Sequence, residues 1–190
     1  MKVIGIVLAG GKSSRFGSDK AISMFQGKTM LKHSVDLMKQ FSDRVLISGD
    51  KEEYNIYGYP CVPDIYKGIG PMGGICSCLK ESDAPLNIIV TCDMPLVTSD
   101  MIARLVESHE FGKATVFEDY DGYIYPFPVI FEKGHLSALE QQINAGNCDL
   151  KSALKACGTT KILLKKEEVG CMANVNSKDE LVRLEKSQLL

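Results

Sequence analysis

The first seventeen residues join an apolar run to a glycine-rich basic loop, and this junction limits the possible folds more than any other segment. The run Val3–Leu8 has the length and composition of a buried strand. It leads into Gly10 and Gly11, where the missing Cβ atoms let backbone amides approach a ligand and form a concavity for phosphate oxygens. Arg15 and Lys20 add positive charge nearby. The segment therefore predicts a polyphosphate-binding loop at the end of a central strand.

Two familiar phosphate-binding motifs do not match this loop. A Walker A loop requires a further glycine at the position of Ile6, which excludes a P-loop NTPase. The G-x-G-x-x-G spacing of dinucleotide-binding folds is missing because Gly10, Gly11 and Gly17 are out of register. A glycine pair that only ends a strand, beside solvated cations, is the simpler alternative. The coincidence of strand, paired glycines and cations favours a phosphate site.

Composition and charge exclude several classes of protein. A chain of 190 residues with 45% hydrophobic residues suits one domain with a single core. The net charge of -2 provides no basic field for nucleic acid, so an anionic substrate must be bound by local charge. The N-terminal apolar run is too short for a signal peptide or a membrane span, so we expect no membrane contact.

Cysteine and histidine positions give no indication of a metal site. The seven cysteines are odd in number and include no C-x-x-C pair, which argues against a disulfide framework and a zinc site. We expect them to be small buried residues of a cytoplasmic protein. His33, His109 and His135 are far apart in the sequence, so we expect surface or hydrogen-bonded histidines.

Strand-like and helix-like segments alternate along the first half of the chain. Apolar runs at Arg44–Ser48 and Leu86–Thr91 predict further central strands. Helical patterns occupy residues 30–40, 73–80 and 98–108, the last with Thr98 or Ser99 as its cap. This order predicts an α/β fold with three layers, in which a mostly parallel twisted sheet has helices on both faces, as in Rossmann-like folds.

The second half differs because it is rich in aromatic residues and proline. Residues 123–131 contain Pro126 and Pro128, and alternate prolines predict an edge strand or a loop that leads into residues 129–131, rather than a central strand. Strands are predicted at 114–117 and 161–164, and helices at 136–143, 150–156 and 180–184. No linker interrupts the pattern, so we expect residues 1–190 to form a single domain.

A second chemical feature is Asp93, which follows the strand Leu86–Thr91. Ligands of open parallel sheets gather outside the carboxyl ends of the strands, so Asp93 should face the same crevice as Gly10 and Gly11. A carboxylate beside a triphosphate can hold Mg²⁺ that bridges phosphate oxygens. The alternative is a turn former before Pro95. We predict Asp93 as a metal ligand and Mg²⁺ as the cofactor.

A third feature is the glycine-rich stretch at residues 68–74, which satisfies G-x-G-x-x-G and is followed by Asp93. This pattern leaves open an NAD-binding Rossmann oxidoreductase. Against it, residues 61–67 form a poor strand because proline and charge interrupt them, and a dehydrogenase would leave the N-terminal loop without a role. A turn that packs near the base or ribose of a nucleotide explains both loops and assigns Gly73 to the nucleotide.

Several motifs together resemble those of a known family, in order and spacing. They are Leu8-Ala9-Gly10-Gly11, Arg15-Phe16-Gly17, Asp19-Lys20, the glycine turn at 70–75, Cys92-Asp93-Met94-Pro95 and Asn174-Val175-Asn176. Along nearly its whole length the chain resembles the molybdenum cofactor guanylyltransferases, which are MobA-like nucleotidyltransferases. The first motif also resembles that of sugar-nucleotide pyrophosphorylases, whereas the late Asn-Val-Asn segment before a helix narrows the choice.

The resemblance implies transfer of GMP from GTP to the terminal phosphate of molybdopterin in its molybdenum complex, with release of pyrophosphate. The product is the guanine dinucleotide cofactor. An acceptor oxygen attacks the α-phosphorus directly, so positioning and charge neutralisation supply the catalysis. In this scheme Arg15, Lys20 and Asp93 are catalytic, and Asn174 and Asn176 lie near the acceptor. The expected nucleotide contacts are Leu8, Ala9, Gly10, Gly11, Lys20, Asp64, Gly73 and Asp93.

The resemblance also divides the chain, with a nucleotide-binding half at about 1–108 and an acceptor-binding half at about 109–190. It allows transient contacts with proteins of cofactor biosynthesis or with molybdoenzymes. Base specificity is less secure, because some members have an asparagine after the second strand where this chain has Ser48-Gly49-Asp50. A cytidylyltransferase, an enzyme with another acceptor and a noncatalytic nucleotide-binding adaptor stay open as alternatives.

Overall fold

The fold is built on two sheets and six α-helices, seen in a computed structural model that describes residues 1–10 and 19–187. The strands are β1 (Val3–Leu8), β2 (Met24–Phe25), β3 (Lys28–Thr29), β4 (Arg44–Ser48), β5 (Cys61–Val62), β6 (Leu86–Thr91), β7 (Ala114–Glu118), β8 (Ile124–Glu132) and β9 (Thr159–Leu163). The α-helices are α1 (Met30–Met38), α2 (Pro71–Glu81), α3 (Ser99–Glu107), α4 (Leu136–Asn144), α5 (Leu150–Cys157) and α6 (Lys178–Ser187). Short 3-10 helices cover Glu52–Tyr57, Lys133–His135 and Lys166–Met172.

The central sheet has seven strands in the order β5-β4-β1-β6-β8-β7-β9. In the described part of this sheet, β8 pairs antiparallel with β6 and β7, and the other neighbouring strands pair in parallel. The predicted mostly parallel α/β sheet is therefore confirmed. The predicted strands at Arg44–Ser48 and Leu86–Thr91 also have the observed bounds.

Helices cover both faces of this sheet. Successive side chains of a strand point to opposite faces, so Gly5 and Leu8 of β1 face opposite ways. Gly5 lies against Met38 of α1, and Leu8 lies against Gly74 of α2. This double cover explains why β1 has a continuous apolar sequence, with Ile6 fully buried.

Strand β8 corrects one expectation from the sequence. It lies between β6 and β7, so an edge strand or loop at residues 123–128 was wrong. Its pairing with β6 runs from Glu132 only as far as Val129, and its register with β7 shifts between Ile130 and Tyr125. Pro126 and Pro128 therefore lie where the ladder is incomplete on both sides, and their missing N–H groups cost little there.

A second, smaller hydrophobic cluster joins the two ends of the chain, which the expectation of a single core did not include. The β2–β3 hairpin turns at Gln26 and Gly27, both with positive φ, as a two-residue hairpin turn requires. Phe25 of this hairpin packs with Val175 and Leu181. The segment before α6 is thus fixed against the N-terminal half of the chain.

The cysteines and histidines behave as local structural residues. All seven cysteines are free, and each histidine makes at least one hydrogen bond within the fold. Among residues 1–10 and 19–187, no helix combines the length and the apolar character that crossing a membrane requires.

Candidate active site

Three strands end together at one edge of the sheet. Leu8 pairs with Ser48 of β4 and with Thr91 of β6. The amides of Ala9 and Gly10 both donate to the Ser48 carbonyl, at 3.1 and 3.0 Å. Gly10 therefore emerges from β1 at the same edge where the chain leaves β6 towards Asp93, as the sequence predicted.

Lys20 connects this edge to the C-terminal part of the chain. Its Nζ lies 2.9 Å from Asp93 Oδ2 and donates to Asn176 Oδ1 at 3.3 Å. The side chains of Lys20 and Asp93 are only 16% and 19% exposed, so the solvent screens their attraction less than at an open surface. Three distant segments that the sequence assigned to one crevice are thus brought together. The remaining predicted residues Gly11 and Arg15 lie outside the described residues.

Asp93 has a free acceptor that suits a cation. Its Oδ1 is shielded from solvent and has no hydrogen-bond partner in the described part of the chain. A buried oxygen without a partner costs about 1–3 kcal/mol, which a bound cation would offset. The described residues contain no group of three or more His, Cys, Asp or Glu side chains suited to a metal. Magnesium commonly uses one or two carboxylates together with substrate phosphates, so the donor set at Asp93 fits it.

The Asn174-Val175-Asn176 segment is held in place on both sides. Val175 is buried in the small cluster, and its amide donates to the Asp93 carbonyl at 2.8 Å. Beyond it, the Asn176 amide donates to Glu180 Oε2 at 2.6 Å, and the Glu180 amide donates to Ser177 Oγ at 3.2 Å. Ser177 therefore caps α6, and both asparagines stay exposed next to Asp93.

Asp64 and Gly73 form a tight contact at the start of α2. A Cβ on Gly73 would lie 2.6 Å from Asp64 Oδ1 and 2.5 Å from the Tyr66 carbonyl oxygen, so glycine is required by packing. Asp64 Oδ1 also accepts a hydrogen bond from the Tyr66 amide at 2.8 Å. Residues 63–70 separate this helix from β5, whereas a dinucleotide fingerprint needs the strand directly before its glycines. The arrangement therefore gives no support to the dehydrogenase alternative.

A hydrogen-bond network around the buried Tyr54 hydroxyl, beside the end of β1, was not predicted from the sequence. The hydroxyl of the fully buried Tyr54 lies 2.8 Å from Asp19 Oδ2 and 3.1 Å from the Ala9 carbonyl oxygen. Lys51 Nζ lies 2.7 Å from the same carboxylate. A Cβ on Gly49 would lie 2.7 Å from the Tyr54 ring, so Gly49 makes room for the network. No motif marks Tyr54 or Lys51, since only the tertiary fold brings them to Asp19.

The network favours the ionised form of the Asp19 carboxyl group. Burial raises the pKa of its carboxyl, but hydrogen bonds from Lys51, Tyr54 and the Ala21 amide outweigh burial and bring the pKa below its ordinary value. Asp19 is therefore an anion at neutral pH. Its bonds to these neighbours hold the residue that precedes Lys20.

Cys92, the neighbour of Asp93, is unsuited to act as a nucleophile. Burial raises the pKa of its thiol to about 12, and the Asp93 charge acts in the same direction. The thiol therefore stays protonated at neutral pH. Chemistry at this edge must proceed without attack by that sulfur.

Fold and site together define an α/β protein of the nucleotidyltransferase class. Residues 5–161 match the model of the MobA-like NTP transferase domain, and the chain belongs to this family. Nucleotidyltransferases generally need a divalent metal.

Known proteins resemble the chain over nearly its whole length. A relative from Flavobacterium johnsoniae, named as a probable molybdenum cofactor guanylyltransferase, is 29% identical over 92% of this chain and 92% of its own. One of the same name from Thermococcus kodakarensis is 32% identical over 96% of this chain and 94% of its own. The crystal structure of molybdopterin-guanine dinucleotide biosynthesis protein A from Archaeoglobus fulgidus has a TM-score of 0.81 and 21% identity, covering 97% of this chain and 98% of its own. The structural likeness shows a shared fold.

Proposed function

We propose that this protein transfers GMP from GTP to molybdopterin in its molybdenum complex, which releases pyrophosphate and forms the molybdopterin guanine dinucleotide cofactor. The convergence of Lys20, Asp93 and Asn176 carries the proposal, since it joins a phosphate-binding edge to a motif from the far end of the chain. The names of the relatives support the choice of both substrates.

GTP would bind along the edge formed by β1, β4, β5 and the start of α2, which we call the nucleotide side. The Leu8, Ala9 and Gly10 backbone would line the phosphates, together with Gly11 and Arg15. Asp64 and Gly73 would contact the nucleoside part. This assignment is supported by the order of the strands, because β4 and β5 lie beside β1 and away from β8.

The acceptor would approach from the other side of Asp93. We call residues 123–127, at the start of β8, together with the segment 172–176 the acceptor side. Asn174 and Asn176 carry amide donors that suit an acceptor phosphate. The proposal thus retains one domain, with the nucleotide bound mainly by residues 1–108 and the acceptor mainly by residues 109–190.

In the proposed reaction an oxygen of the acceptor phosphate attacks the α-phosphorus of GTP, and the bond from that phosphorus to the bridging oxygen of pyrophosphate breaks. Asp93 would hold Mg²⁺, which would supply positive charge to offset the negative charge of the phosphates. Lys20 would exchange its bond to Asp93 for one to the leaving pyrophosphate. The chain contributes positioning and charge, and no covalent intermediate with the protein is needed.

The proposal includes the cytoplasm as the compartment, which the seven free thiols support. It also includes transfer of the finished cofactor through transient contacts with proteins of the same biosynthesis or with molybdoenzymes. The reaction leaves no covalent bond between product and protein, so such a transfer requires only dissociation.

The decisive experiment measures pyrophosphate release by the purified chain with Mg²⁺ and molybdenum-loaded molybdopterin. GTP, CTP, ATP and UTP are compared at equal concentration, and omission of the acceptor serves as the control. We expect release with GTP that requires the acceptor. A preference for CTP would mean that the protein transfers a cytidylyl group and not a guanylyl group. GTP binding without pyrophosphate release would indicate a noncatalytic nucleotide-binding protein.

A further inference from the structure

A cavity of about 270 Å³ opens beside Asp93. Its lining is mostly aromatic or apolar, and it consists of Met94, Tyr123, Tyr125, Pro126, Phe127, Met172 and Asn174. Small-molecule sites typically measure roughly 300–1,000 Å³, so this cavity has room for a single ring system rather than a whole nucleotide.

The position of the cavity assigns it to the acceptor side. Strand β8 is antiparallel to β6, so β8 begins at the edge where β6 ends and where Asp93 follows. Met94 is the chain neighbour of Asp93, and Asn174 precedes Val175, whose amide donates to the Asp93 carbonyl. The nucleotide side lies across β6 in the opposite direction. A ligand in the cavity would therefore reach Asp93 from the side away from the GTP phosphates.

The tyrosines of the cavity are fixed by one acidic residue in the β7–β8 turn. Asp119 Oδ1 accepts hydrogen bonds from the amides of Asp121 and Tyr123, at 3.0 and 2.9 Å. Its Oδ2 accepts one from the Tyr125 hydroxyl at 3.1 Å. The two tyrosine rings then meet edge to face, with centroids 4.9 Å apart. Tyr123 is 56% exposed, so a large apolar ring is held in place with one face open to a ligand.

We propose that this cavity binds the flat heteroaromatic ring of the acceptor, with Tyr123 and Tyr125 as its ring contacts and with the acceptor phosphate directed towards Asn174 and Asp93. The inference rests on the proposed function, because it deepens the acceptor half of that reaction. Aromatic side chains suit a planar heterocycle because stacking is tolerant of ring substituents. The apolar lining favours binding of the ring, and Asn174 supplies a polar contact at the end of the cavity nearest Asp93.

The test uses a matched pair of exposed tyrosines in the same turn. Tyr123→Ala removes a ring that lines the cavity, whereas Tyr120→Ala removes a ring that is 62% exposed and contacts Lys166 instead. One aromatic contact with a base is worth about 1–3 kcal/mol, so we expect Tyr123→Ala to raise the KM for molybdopterin about tenfold. The KM for GTP and kcat at saturating acceptor should match the wild type. Tyr120→Ala should leave all three constants unchanged, and Tyr123→Phe should restore the acceptor KM.

A direct binding measurement separates this inference from the proposed function. Calorimetric titration of each variant with molybdopterin reports acceptor binding without turnover. Weaker binding to Tyr123→Ala than to Tyr120→Ala supports the assignment whether or not the wild type releases pyrophosphate. Equal affinities of these two variants would overturn it. An active wild type with equal acceptor KM values in both variants would overturn the ring site and leave the transfer reaction intact.

Discussion

The nucleotide side and the acceptor side are built by different means. On the nucleotide side the backbone is held by strand pairing and by close contacts at glycine, such as Gly73 against Asp64. On the acceptor side exposed side chains are carried by buried anchors, such as Val175 between two asparagines. Added atoms should therefore damage the nucleotide side, whereas loss of side-chain atoms should damage the acceptor side.

The largest expected effect is at Asp93, where the two sides meet. Asp93→Asn keeps the size of the side chain but removes the charge that pairs with Lys20 and would hold Mg²⁺. We expect kcat to fall by at least about a hundredfold while some GTP binding remains. Pyrophosphate release across a Mg²⁺ titration measures the first quantity, and calorimetric titration with GTP measures the second.

Asp100→Asn is the control, since Asp100 is an exposed residue in the first turn of α3. It should retain wild-type turnover. Magnesium-dependent activity of Asp93→Asn near the wild-type value would refute the metal role and would also remove the link between the two sides.

Gly73→Ala should sharpen the comparison on the nucleotide side. The new methyl group would meet the Tyr66 carbonyl oxygen and the Asp64 carboxylate, so the start of α2 must shift. We expect a loss of about 1–3 kcal/mol in the free energy of unfolding, together with weaker GTP binding. Urea unfolding and GTP titration provide the measurements.

Gly134→Ala is the control, because no atom lies within 4 Å of the added Cβ, and it should change stability by less than about 0.5 kcal/mol. Equal stability of the two variants would mean that the contact is not tight.

Asn176→Ala tests the acceptor side by removing atoms. The variant loses the 3.3 Å contact with Lys20 and an amide that would bind the acceptor phosphate. We expect the KM for molybdopterin to rise about tenfold, or about 1.4 kcal/mol, with the stability of the protein little changed. Steady-state kinetics with each substrate varied in turn distinguish the sides. The exposed Asn55 provides the control variant Asn55→Ala. A higher KM for GTP alone would assign Asn176 to the nucleotide side instead.

The smallest expected effect concerns Asp19. Its pKa is lower in the folded protein, so its interactions stabilise the fold above the unfolded pKa of about 4 and lose this effect as the pH falls through the folded pKa. Lys51→Met should therefore lower stability at pH 7, by less than about 1 kcal/mol because Lys51 is 40% exposed. The difference in the free energy of unfolding between this variant and the wild type should shrink at pH 3, as measured by urea unfolding.

Lys151→Met is the control, at a lysine without an ion-pair partner in the described residues, and it should show no such pH dependence. A constant difference at both pH values would exclude an electrostatic origin.

The elements predicted correctly from the sequence are those that their own residues determine. The strand at Arg44–Ser48 follows from a short apolar run, and Thr98 caps α3 as its side-chain chemistry suggests. The prediction for β8 was wrong because Pro126 and Pro128 exclude a central strand only where the ladders to both neighbouring strands are complete. Which neighbours a strand has, and where their pairing ends, is set by tertiary structure rather than by its own residues.

The site was predictable to the extent that its residues occur in motifs. Asp93 and Asn176 were found because short motifs contain them, and the fold then brought them to Lys20. Tyr54 was not found, because its contact with Asp19 spans 35 residues and leaves no pattern in the sequence. The cavity at Tyr123 was equally hidden, since an aromatic segment does not reveal which surface its rings will line.

The small cluster of Phe25, Val175 and Leu181 also determines when the site can exist during synthesis. The strands β1, β4 and β6 and the Asp93 carboxylate are translated long before Asn174 and Asn176. A nascent or truncated chain that ends after α5 therefore carries the nucleotide side without Asn174 and Asn176. Only a chain translated through α6 can pack Leu181 and Val175 against Phe25 of the β2–β3 hairpin. Loss of α6 should therefore leave residues 174–176 without this anchor while the central sheet stays folded.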